Sequence, residues 1–150
     1  MPAEPAKRAA GAAASPKPAH DASPALSNRS TRILVVEDDY IAGLEIESAL
    51  TRAGFVVVGV VGNAEAAIAQ ALALVPTLVI MDIRLRGKRD GIDAALEIYR
   101  QTGVRSIFAT AHQDAAVRAR AKGAAPLGWL AKPYDTNALV ELIQEVLRAD

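Results

Sequence analysis

The chain has 150 residues, of which 51% are hydrophobic and 23% charged, proportions that are ordinary for one globular domain with a single core. Its 17 lysines and arginines balance 17 aspartates and glutamates, so no overall field favours nucleic acid or an anionic membrane. It contains no cysteine, which excludes disulfides and thiolate metal sites, and no apolar run approaches the ~20 residues of a membrane helix.

Residues 1–30 differ in composition from the rest of the chain. Alanine, proline and serine dominate this segment, and its only leucine is Leu26. Such a segment buries too little apolar surface to offset the entropy that ordering would cost. We therefore predict a disordered, Ala/Pro-rich N-terminal tail over residues 1–30 and a folded domain over residues 31–150. The tail has no apolar stretch of signal-peptide type, and we expect a cytoplasmic protein.

From residue 31 onward, short apolar runs alternate with segments in which apolar residues recur at helical spacing. The runs predict strands over residues 33–36, 55–61, 78–82, 105–110 and 127–131. The remaining segments predict helices over residues 40–53, 64–75, 92–101, 114–122 and 135–148. Asn63 is predicted to cap the second helix, and Gly54, Gly103 and Gly123 are predicted to end the first, third and fourth helices.

Strict alternation of strand and helix with short connections predicts a parallel sheet with helices on both faces and right-handed crossovers. Five such pairs predict a doubly wound, flavodoxin-like (βα)5 fold with strand order 2-1-3-4-5. In that order the ends of strands 1 and 3 lie side by side, at the crevice where such sheets bind ligands. The predicted fold class is therefore α/β, with its ligand site at the carboxyl edge of the sheet.

Polar residues follow four of the predicted strands at this edge. The acidic run 37–39 follows strand 1, Asp82 ends strand 3, Thr110 ends strand 4, and Lys132 follows strand 5. Carboxylates gathered within a few ångströms repel one another unless a cation compensates them. Mg²⁺ accepts few protein carboxylates and also binds waters and phosphate oxygens, so the pattern indicates Mg²⁺ and a phosphoryl substrate.

These side chains are suited to phosphoryl transfer onto a carboxylate. Asp82 can act as a nucleophile and become an aspartyl phosphate, while a metal ion neutralises charge on the transferring oxygens. Lys132 supplies a point positive charge to the same oxygens, and the Thr110 hydroxyl donates a hydrogen bond to one of them. Such catalysis is mostly positioning and electrostatics, so few residues are needed.

Over residues 32–148 the chain resembles the receiver domain of bacterial two-component response regulators. Five motifs carry the resemblance in the right order and spacing, namely ILVVEDD, LVIMD, DGI, IFATA and LAKPY. The resemblance implies that Asp82 is the phosphoacceptor. It also implies that Mg²⁺ is held by Glu37, Asp38, Asp82 and the backbone carbonyl of Arg84.

The resemblance identifies further residues and shows two departures from the family pattern. Thr110 matches the switch hydroxyl, and Lys132 matches the family's lysine, whose bond to the following Pro133 is often cis. The aromatic switch position is Trp129 here instead of the usual tyrosine or phenylalanine, and a simple packed strand residue is an equal alternative. The loop after Asp82 lacks the usual proline and is lengthened by residues 87–89.

Two positions beside the site residues are candidates for tuning the reaction. Arg84 stands two residues after Asp82, and His112 stands two residues after Thr110. In the family these positions often tune hydrolysis of the phosphate, so we hypothesise that Arg84 and His112 set the lifetime of the phosphorylated state. The basic residues at 86, 88 and 89 are interpreted as a solvated loop, with contact to an acidic partner as the alternative.

The chain ends soon after the fifth predicted helix, and we expect a stand-alone receiver whose only chemistry is self-catalysed phosphoryl transfer and dephosphorylation. The resemblance implies a histidine kinase or a histidine phosphotransfer protein as phosphodonor, docking at the start of helix 1 and the loop after Lys132. Output is expected through onward phosphotransfer or protein contact at helix 4, strand 5 and helix 5, around Trp129 and Tyr134. We expect a monomer or a phosphorylation-dependent dimer, with no nucleic-acid or membrane partner.

Three other functions use related chemistry or the same fold. A haloacid-dehalogenase-type phosphatase also uses an aspartate nucleophile with Mg²⁺, but its nucleophile follows strand 1 in a D-x-D pattern, where this chain has EDD. A flavodoxin-like FMN binder needs a hydroxyl- and glycine-rich loop at that place, where an acidic run repels phosphate. A pseudo-receiver that binds partners without phosphorylation would not need Asp82, Thr110 and Lys132 together with the acidic pair.

Overall fold

The computed structural model describes residues 30–149, so the predicted tail lies outside the described residues except for Ser30. The strands are β1 (Arg32–Val36), β2 (Val56–Val61), β3 (Leu78–Asp82), β4 (Ser106–Thr110) and β5 (Gly128–Ala131). The helices are α1 (Tyr40–Arg52), α2 (Ala64–Leu74), α3 (Gly91–Thr102), α4 (Ala115–Ala121) and α5 (Thr136–Ala149). Each predicted element is confirmed, and each of its ends lies within one residue of the prediction. Within residues 30–149, no helix combines the length and the apolarity that crossing a bilayer requires.

The strands form one sheet in the order β2-β1-β3-β4-β5, with every neighbouring pair parallel. This confirms the predicted order, in which the direction of strand addition reverses between β1 and β3. The register aligns Asp82 of β3 with Ala109 of β4, and Thr110 of β4 with Ala131 of β5. The carboxyl ends of these strands are therefore nearly level, and the residues that end or follow them meet at one edge.

Apolar side chains alternate between the two faces of the sheet and form a core on each side. Met81 and Phe108 belong to the core that α2 and α3 cover, whereas Ile80 and Ile107 belong to the core that α1 and α5 cover. All five residues of β3 and all five of β4 are buried. Continuous burial explains why these strands read as uninterrupted apolar runs in the sequence.

The predicted helix ends are confirmed at three of four positions. Asn63 accepts a hydrogen bond from the Ala66 N–H at 2.8 Å, and Gly54 and Gly103 take positive φ values of 95° and 78°. The prediction for Gly123 was wrong, because the chain tightens into a 3-10 turn over Lys122–Ala124 after α4 and the left-handed residue is Ala125. A Cβ on Gly123 would lie 3.2 Å from Leu96 Cδ2, so this glycine serves close packing against α3.

The loop that follows Asp82 returns to the sheet at the first residue of α3. Asp90 caps the helix, since its side chain accepts from the Asp93 N–H at 2.9 Å while the Asp93 carboxylate accepts from the Asp90 N–H at 3.0 Å. Between these caps, Gly91 donates its N–H to the Ile83 carbonyl at 2.8 Å. A Cβ at Gly91 would lie 2.0 Å from the Asp82 carbonyl oxygen, so only glycine allows this approach.

We expect Gly91→Ala to lower the free energy of unfolding by about 3 kcal/mol, the upper end of ordinary overpacking costs. The reason is that the added methyl group collides with the backbone of Asp82 and Ile83, which is fixed in the sheet. Urea unfolding followed by circular dichroism measures the loss.

The matched control is Gly62→Ala, whose Cβ would meet its nearest atom, Asp38 Cα, at an ordinary 3.6 Å. We expect the control to change the free energy of unfolding by less than about 1 kcal/mol. Equal effects of the two substitutions would contradict the close approach between Gly91 and Asp82.

Candidate functional site

The carboxyl edge of the sheet brings together charged residues from three strand ends. Glu37 directly follows β1, Asp82 ends β3, and Lys132 directly follows β5. The Lys132 ammonium lies 3.1 Å from Glu37 Oε1 and 3.2 Å from Asp82 Oδ2. Glu37 and Asp82 are only 7% and 6% exposed, so one cation bridges two acids that water reaches poorly.

Asp38 joins the two buried acids in a cluster of oxygen ligands. Carboxylate oxygens of Glu37, Asp38 and Asp82 all lie within 4.8 Å of one another. Two backbone groups orient the buried acids, since Glu37 Oε2 accepts from the Asp39 N–H at 3.1 Å and Asp82 Oδ1 accepts from the Arg84 N–H at 3.3 Å. The cluster is all oxygen and carries three carboxylates, which is a donor set that suits a hard cation such as Mg²⁺.

Asp39, the third residue of the acidic run, has a different task. Its side chain accepts a hydrogen bond from the Ala42 N–H at 3.1 Å and caps α1. The acidic run therefore divides into a Glu37–Asp38 pair at the site and one helix cap. The predicted metal ligands include the pair and omit Asp39, and their role as ligands stays a prediction.

A cavity of about 370 Å³ opens over these groups, and every predicted site residue except Trp129 lines it. It is lined by Glu37, Asp38, Asp39, Asp82, Arg84, Thr110, Ala111, His112 and Lys132. Thr110 is buried, and its hydroxyl oxygen accepts a hydrogen bond from the His112 N–H at 3.2 Å.

The peptide bond between Lys132 and Pro133 is cis, as the resemblance implies. Arg84 and His112 both face the cavity, while the ligand role of the Arg84 carbonyl stays a prediction.

Burial and charge crowding shift the proton affinities in this cluster. Burial raises the pKa of Asp82 to about 6, the Glu37 carboxylate adds to the rise, and Lys132 opposes it. At Lys132, burial disfavours the charged form, but Asp82 and Glu37 outweigh it and raise the pKa of the ammonium. The lysine therefore stays charged while metal-free Asp82 gains and loses its proton just below neutral pH. A bound divalent cation would favour the ionised carboxylate.

Trp129 lies beside the site but not in its cavity. Its ring is partly buried and stacks on Phe108, with ring centroids 4.9 Å apart and planes 29° apart. The Arg118 guanidinium lies 4.7 Å from the ring centroid, within the range of a cation–π contact. The position thus combines strand packing with a contact to α4, so both readings of Trp129 from the sequence remain compatible with its environment.

Sequence reasoning missed the contacts of three arginines, one at the acidic cluster and two on α4. The Arg86 Nε lies 4.0 Å from Asp38 Oδ2, Arg118 covers Trp129, and Arg120 pairs with the cap of α3. Each contact joins residues far apart in the chain or depends on how a loop turns. No local spacing signals such pairs, although the charge of residues 86–89 marks that loop as unusual.

We expect the Asp82 carboxyl to titrate with a midpoint near pH 6 in metal-free protein, because burial and Glu37 penalise its ionised form. Lys132→Met should move the midpoint higher, since the ammonium lowers this pKa. Because 6 lies above the ordinary value of 3.8, protonation of Asp82 should also stabilise the metal-free fold as the pH falls through 6. Carbon-detected NMR of the side-chain carboxyl in EDTA measures the midpoint.

An Asp82 midpoint at the ordinary value of 3.8 would contradict the burial and crowding described above. So would an unchanged or lower Asp82 midpoint in the Lys132→Met protein.

Comparisons with known proteins agree on one family. The sequence profile of the response regulator receiver domain matches residues 33–144. The transcriptional regulatory protein PdtaR of Mycobacterium tuberculosis is 32% identical over 113 residues, which cover 75% of this chain and 55% of PdtaR. The chain therefore spans little more than half the length of that relative. The chemotaxis protein CheY of Thermotoga maritima is 28% identical over 116 residues, which cover 77% of this chain and 96% of CheY.

Solved structures with the same fold include further receiver domains. The signal receiver domain of a modulated diguanylate cyclase from Desulfovibrio desulfuricans G20 superposes with a TM-score of 0.71 at 33% identity, covering 79% of this chain and 94% of that domain. A two-component response regulator of the LuxR family from Aurantimonas gives a TM-score of 0.68 at 30% identity, covering 79% of this chain and 85% of that one. Profile match, strand order and acidic cluster agree, and the chain belongs to the response regulator receiver domain family of two-component systems.

Proposed function

We propose that this receiver domain accepts a phosphoryl group on Asp82 in a Mg²⁺-dependent reaction and signals by protein contact or onward phosphotransfer in a two-component phosphorelay. The observation that carries the proposal is the double role of Asp82. Its carboxylate belongs to the oxygen cluster with Glu37 and Asp38, and it also lies 3.2 Å from the Lys132 ammonium. A phosphoryl group that reaches Asp82 would therefore approach between a metal site and a fixed positive charge.

The donor set defines how a metal would be held. Glu37, Asp38 and Asp82, with the backbone carbonyl of Arg84, would hold Mg²⁺. When bound, the ion neutralises charge on the oxygens of the transferring phosphoryl group. Lys132 then exchanges part of its contact with the two buried acids for contact with the incoming phosphoryl oxygens, since its ammonium can donate three hydrogen bonds.

Asp82 acts as the nucleophile in the proposed step. One Oδ atom forms the new O–P bond while the P–N bond to the donor's phosphohistidine breaks. The electron pair of the broken bond stays on the imidazole, which takes up a proton from solvent. The Thr110 oxygen accepts from the His112 N–H at 3.2 Å, and its hydroxyl donates to the His112 carbonyl oxygen at 3.5 Å. The second contact is long for an O–H···O hydrogen bond, so the hydroxyl would exchange it for a phosphoryl oxygen at little cost.

The surface next to the site supports a protein phosphodonor. Receiver domains of this family take their phosphoryl group from histidine kinases. The first turns of α1 expose three large apolar side chains, Tyr40, Ile41 and Leu44, which are 75%, 62% and 42% exposed. An apolar patch beside a reactive carboxylate suits the docking of a helix that carries a phosphohistidine. The proposed partner is therefore a histidine kinase or a histidine phosphotransfer protein.

The remaining parts of the proposal follow from this role. The chain performs self-catalysed phosphoryl transfer and dephosphorylation without turning over a separate substrate, so we do not class it as an enzyme. It works in the cytoplasm as a monomer or a phosphorylation-dependent dimer, with a downstream protein partner and without nucleic acid or membrane. The expectation of a stand-alone receiver stays a prediction.

We expect one phosphoryl group to be added to the protein on incubation with Mg²⁺ and acetyl phosphate, and none to be added to Asp82→Asn. The amide cannot attack phosphorus, whereas the wild-type carboxylate can. Intact-protein mass spectrometry measures the addition, and EDTA should abolish it in the wild type.

Asp135→Asn is the matched control, since asparagine also caps helices and this residue lies outside the acidic cluster. The control should be phosphorylated like the wild type. A wild-type protein that gains no phosphoryl group would overturn the proposal and favour a pseudo-receiver, and addition to Asp82→Asn would place the acceptor elsewhere.

We also expect Arg84→Ala and His112→Ala to lose the phosphoryl group several-fold faster than the wild type. Both side chains line the cavity over Asp82, so removing either opens a path for water. Decay of the phosphorylated mass after removal of acetyl phosphate gives the rate. Lys88→Ala, which removes an exposed cation from the same loop as Arg84, should decay at the wild-type rate. Unchanged decay in both cavity variants would reject the lifetime hypothesis.

A further inference from the structure

Helix α4 is attached to the domain by little apolar surface. It has seven residues, of which only Ala121 is buried, while Val117 is partly buried and packs against the core. The other five residues of α4 are exposed. Apolar burial is the main force that fixes a short helix to a domain, and a helix of this length has little stability of its own. Something else must contribute to its position.

Arg118 joins α4 to the edge strand of the sheet. Its guanidinium lies 4.7 Å from the centroid of the Trp129 ring, and its Nη2 donates to Gln113 Oε1 at 2.7 Å. Trp129 belongs to β5, in which no residue is fully buried, and its ring also stacks on the fully buried Phe108. The arginine therefore lies over a ring that the core buries only in part.

Arg120 joins the same helix to a different part of the domain. Its Nη1 donates to Asp90 Oδ2 at 2.8 Å, and its Nη2 contacts Asp90 Oδ1 and Asp93 Oδ1 at 3.2 Å each. These two carboxylates form the cap of α3, and Gly91, which directly follows Asp90, is in contact with the backbone of Asp82. The anchor of α4 is thus built on the loop that leaves the predicted phosphoacceptor.

We propose that α4 is a charge-held latch, in which Arg118 covers Trp129 and Arg120 anchors the helix to the cap of α3, so that Trp129 and α4 move as one unit. Arg118 is then the positioning residue for Trp129. The partly buried ring becomes more accessible when the latch opens, and loss of the remote Arg120 anchor opens the latch just as loss of Arg118 does. The latch itself requires no phosphorylation, but its role in signalling rests on the proposed function.

Two neighbouring strands connect the latch to the site. Trp129 pairs in register with Phe108, while Thr110 ends the strand of Phe108 and Lys132 follows the strand of Trp129. A phosphoryl group on Asp82 would draw Thr110 and Lys132 towards it and change the ends of both strands. The loop from Asp82 to the cap of α3 gives a second connection through Arg120. Both connections end on α4.

The latch can be tested by acrylamide quenching, because Trp129 is the only tryptophan in the chain. We expect Arg118→Ala to raise the Stern–Volmer constant about twofold or more, since an exposed cation–π pair shifts an open–closed balance by about that factor. Arg120→Ala should raise it comparably, although Arg120 anchors α4 through Asp90 and Asp93. The matched control, Lys122→Ala, removes an exposed cation next to α4 and should leave the constant unchanged.

The quenching of these variants shows whether the Arg118 and Arg120 contacts act as one latch or as two independent contacts. An increase in Arg118→Ala alone would overturn the proposal, because Trp129 and the anchor would then be independent. No increase in either variant would overturn it as well, and so would an equal increase in the control. If the contacts form one latch, the double variant should quench no more than the larger single variant, whereas independent contacts would add.

Circular dichroism and urea unfolding establish that each variant is folded before quenching is measured. Should Arg120→Ala not fold, Asp93→Asn makes the same test, since the amide oxygen can still accept from the Asp90 N–H while the charge that faces Arg120 is lost. Asp93→Asn should raise quenching above that of the wild type, and no rise would overturn the anchor.

Signalling is tested by adding Mg²⁺ and beryllofluoride, an analogue of a phosphoryl group. We expect this mixture to raise quenching of the wild type and to have at most half that effect on Arg118→Ala, whose latch is already open. An equal response in the two proteins would overturn the signalling role of the latch. If the wild type does not respond and is not phosphorylated by acetyl phosphate, the proposed function fails, while quenching without the analogue still decides whether the latch exists.

Discussion

The contact of one ammonium group with two buried carboxylates is the interaction on which the rest of this structure depends. Lys132 arrives from the end of β5, while Glu37 and Asp82 arrive from the ends of β1 and β3. Buried charges of one sign are costly unless a partner compensates them, and removing one member of such a group leaves the others unpaired. Only a sheet that brings these three strand ends to one level satisfies the requirement, so site and fold constrain each other.

The negative charge at this site exceeds the positive charge that compensates it. This excess is what makes the site reactive. Three carboxylates face one lysine within the cluster, with Arg86 reaching only Asp38, and burial raises the pKa of Asp82 to about 6. A perturbed carboxyl in a cavity with unpaired negative charge is a site that gains stability from a cation. The same electrostatic demand therefore connects metal binding, the reactivity of Asp82 and the position of Lys132.

Packing near this edge of the sheet is tight in one place and loose in another. Gly91 is held so close to the backbone of Asp82 that the start of α3 cannot move without the loop, whereas α4 contributes one buried residue and two arginine contacts. Elements with little buried surface are the ones that shift at low cost in free energy. The weakly buried helix α4 is thus attached to the closely packed start of α3.

The sequence by itself determined the alternation of strands and helices, the strand order and the residues at the strand ends. Those features depend on local periodicity and on rules of chain connection, and even the helix cap at Asn63 follows from one side chain. Only the tertiary structure decided that Gly123 lies in a 3-10 turn, that Asp39 caps α1, and that Lys132 contacts Glu37 as closely as Asp82. The arginine contacts of α4 likewise join residues 11 to 30 positions apart, and such pairs depend on how helices pack and loops turn, which no local pattern records.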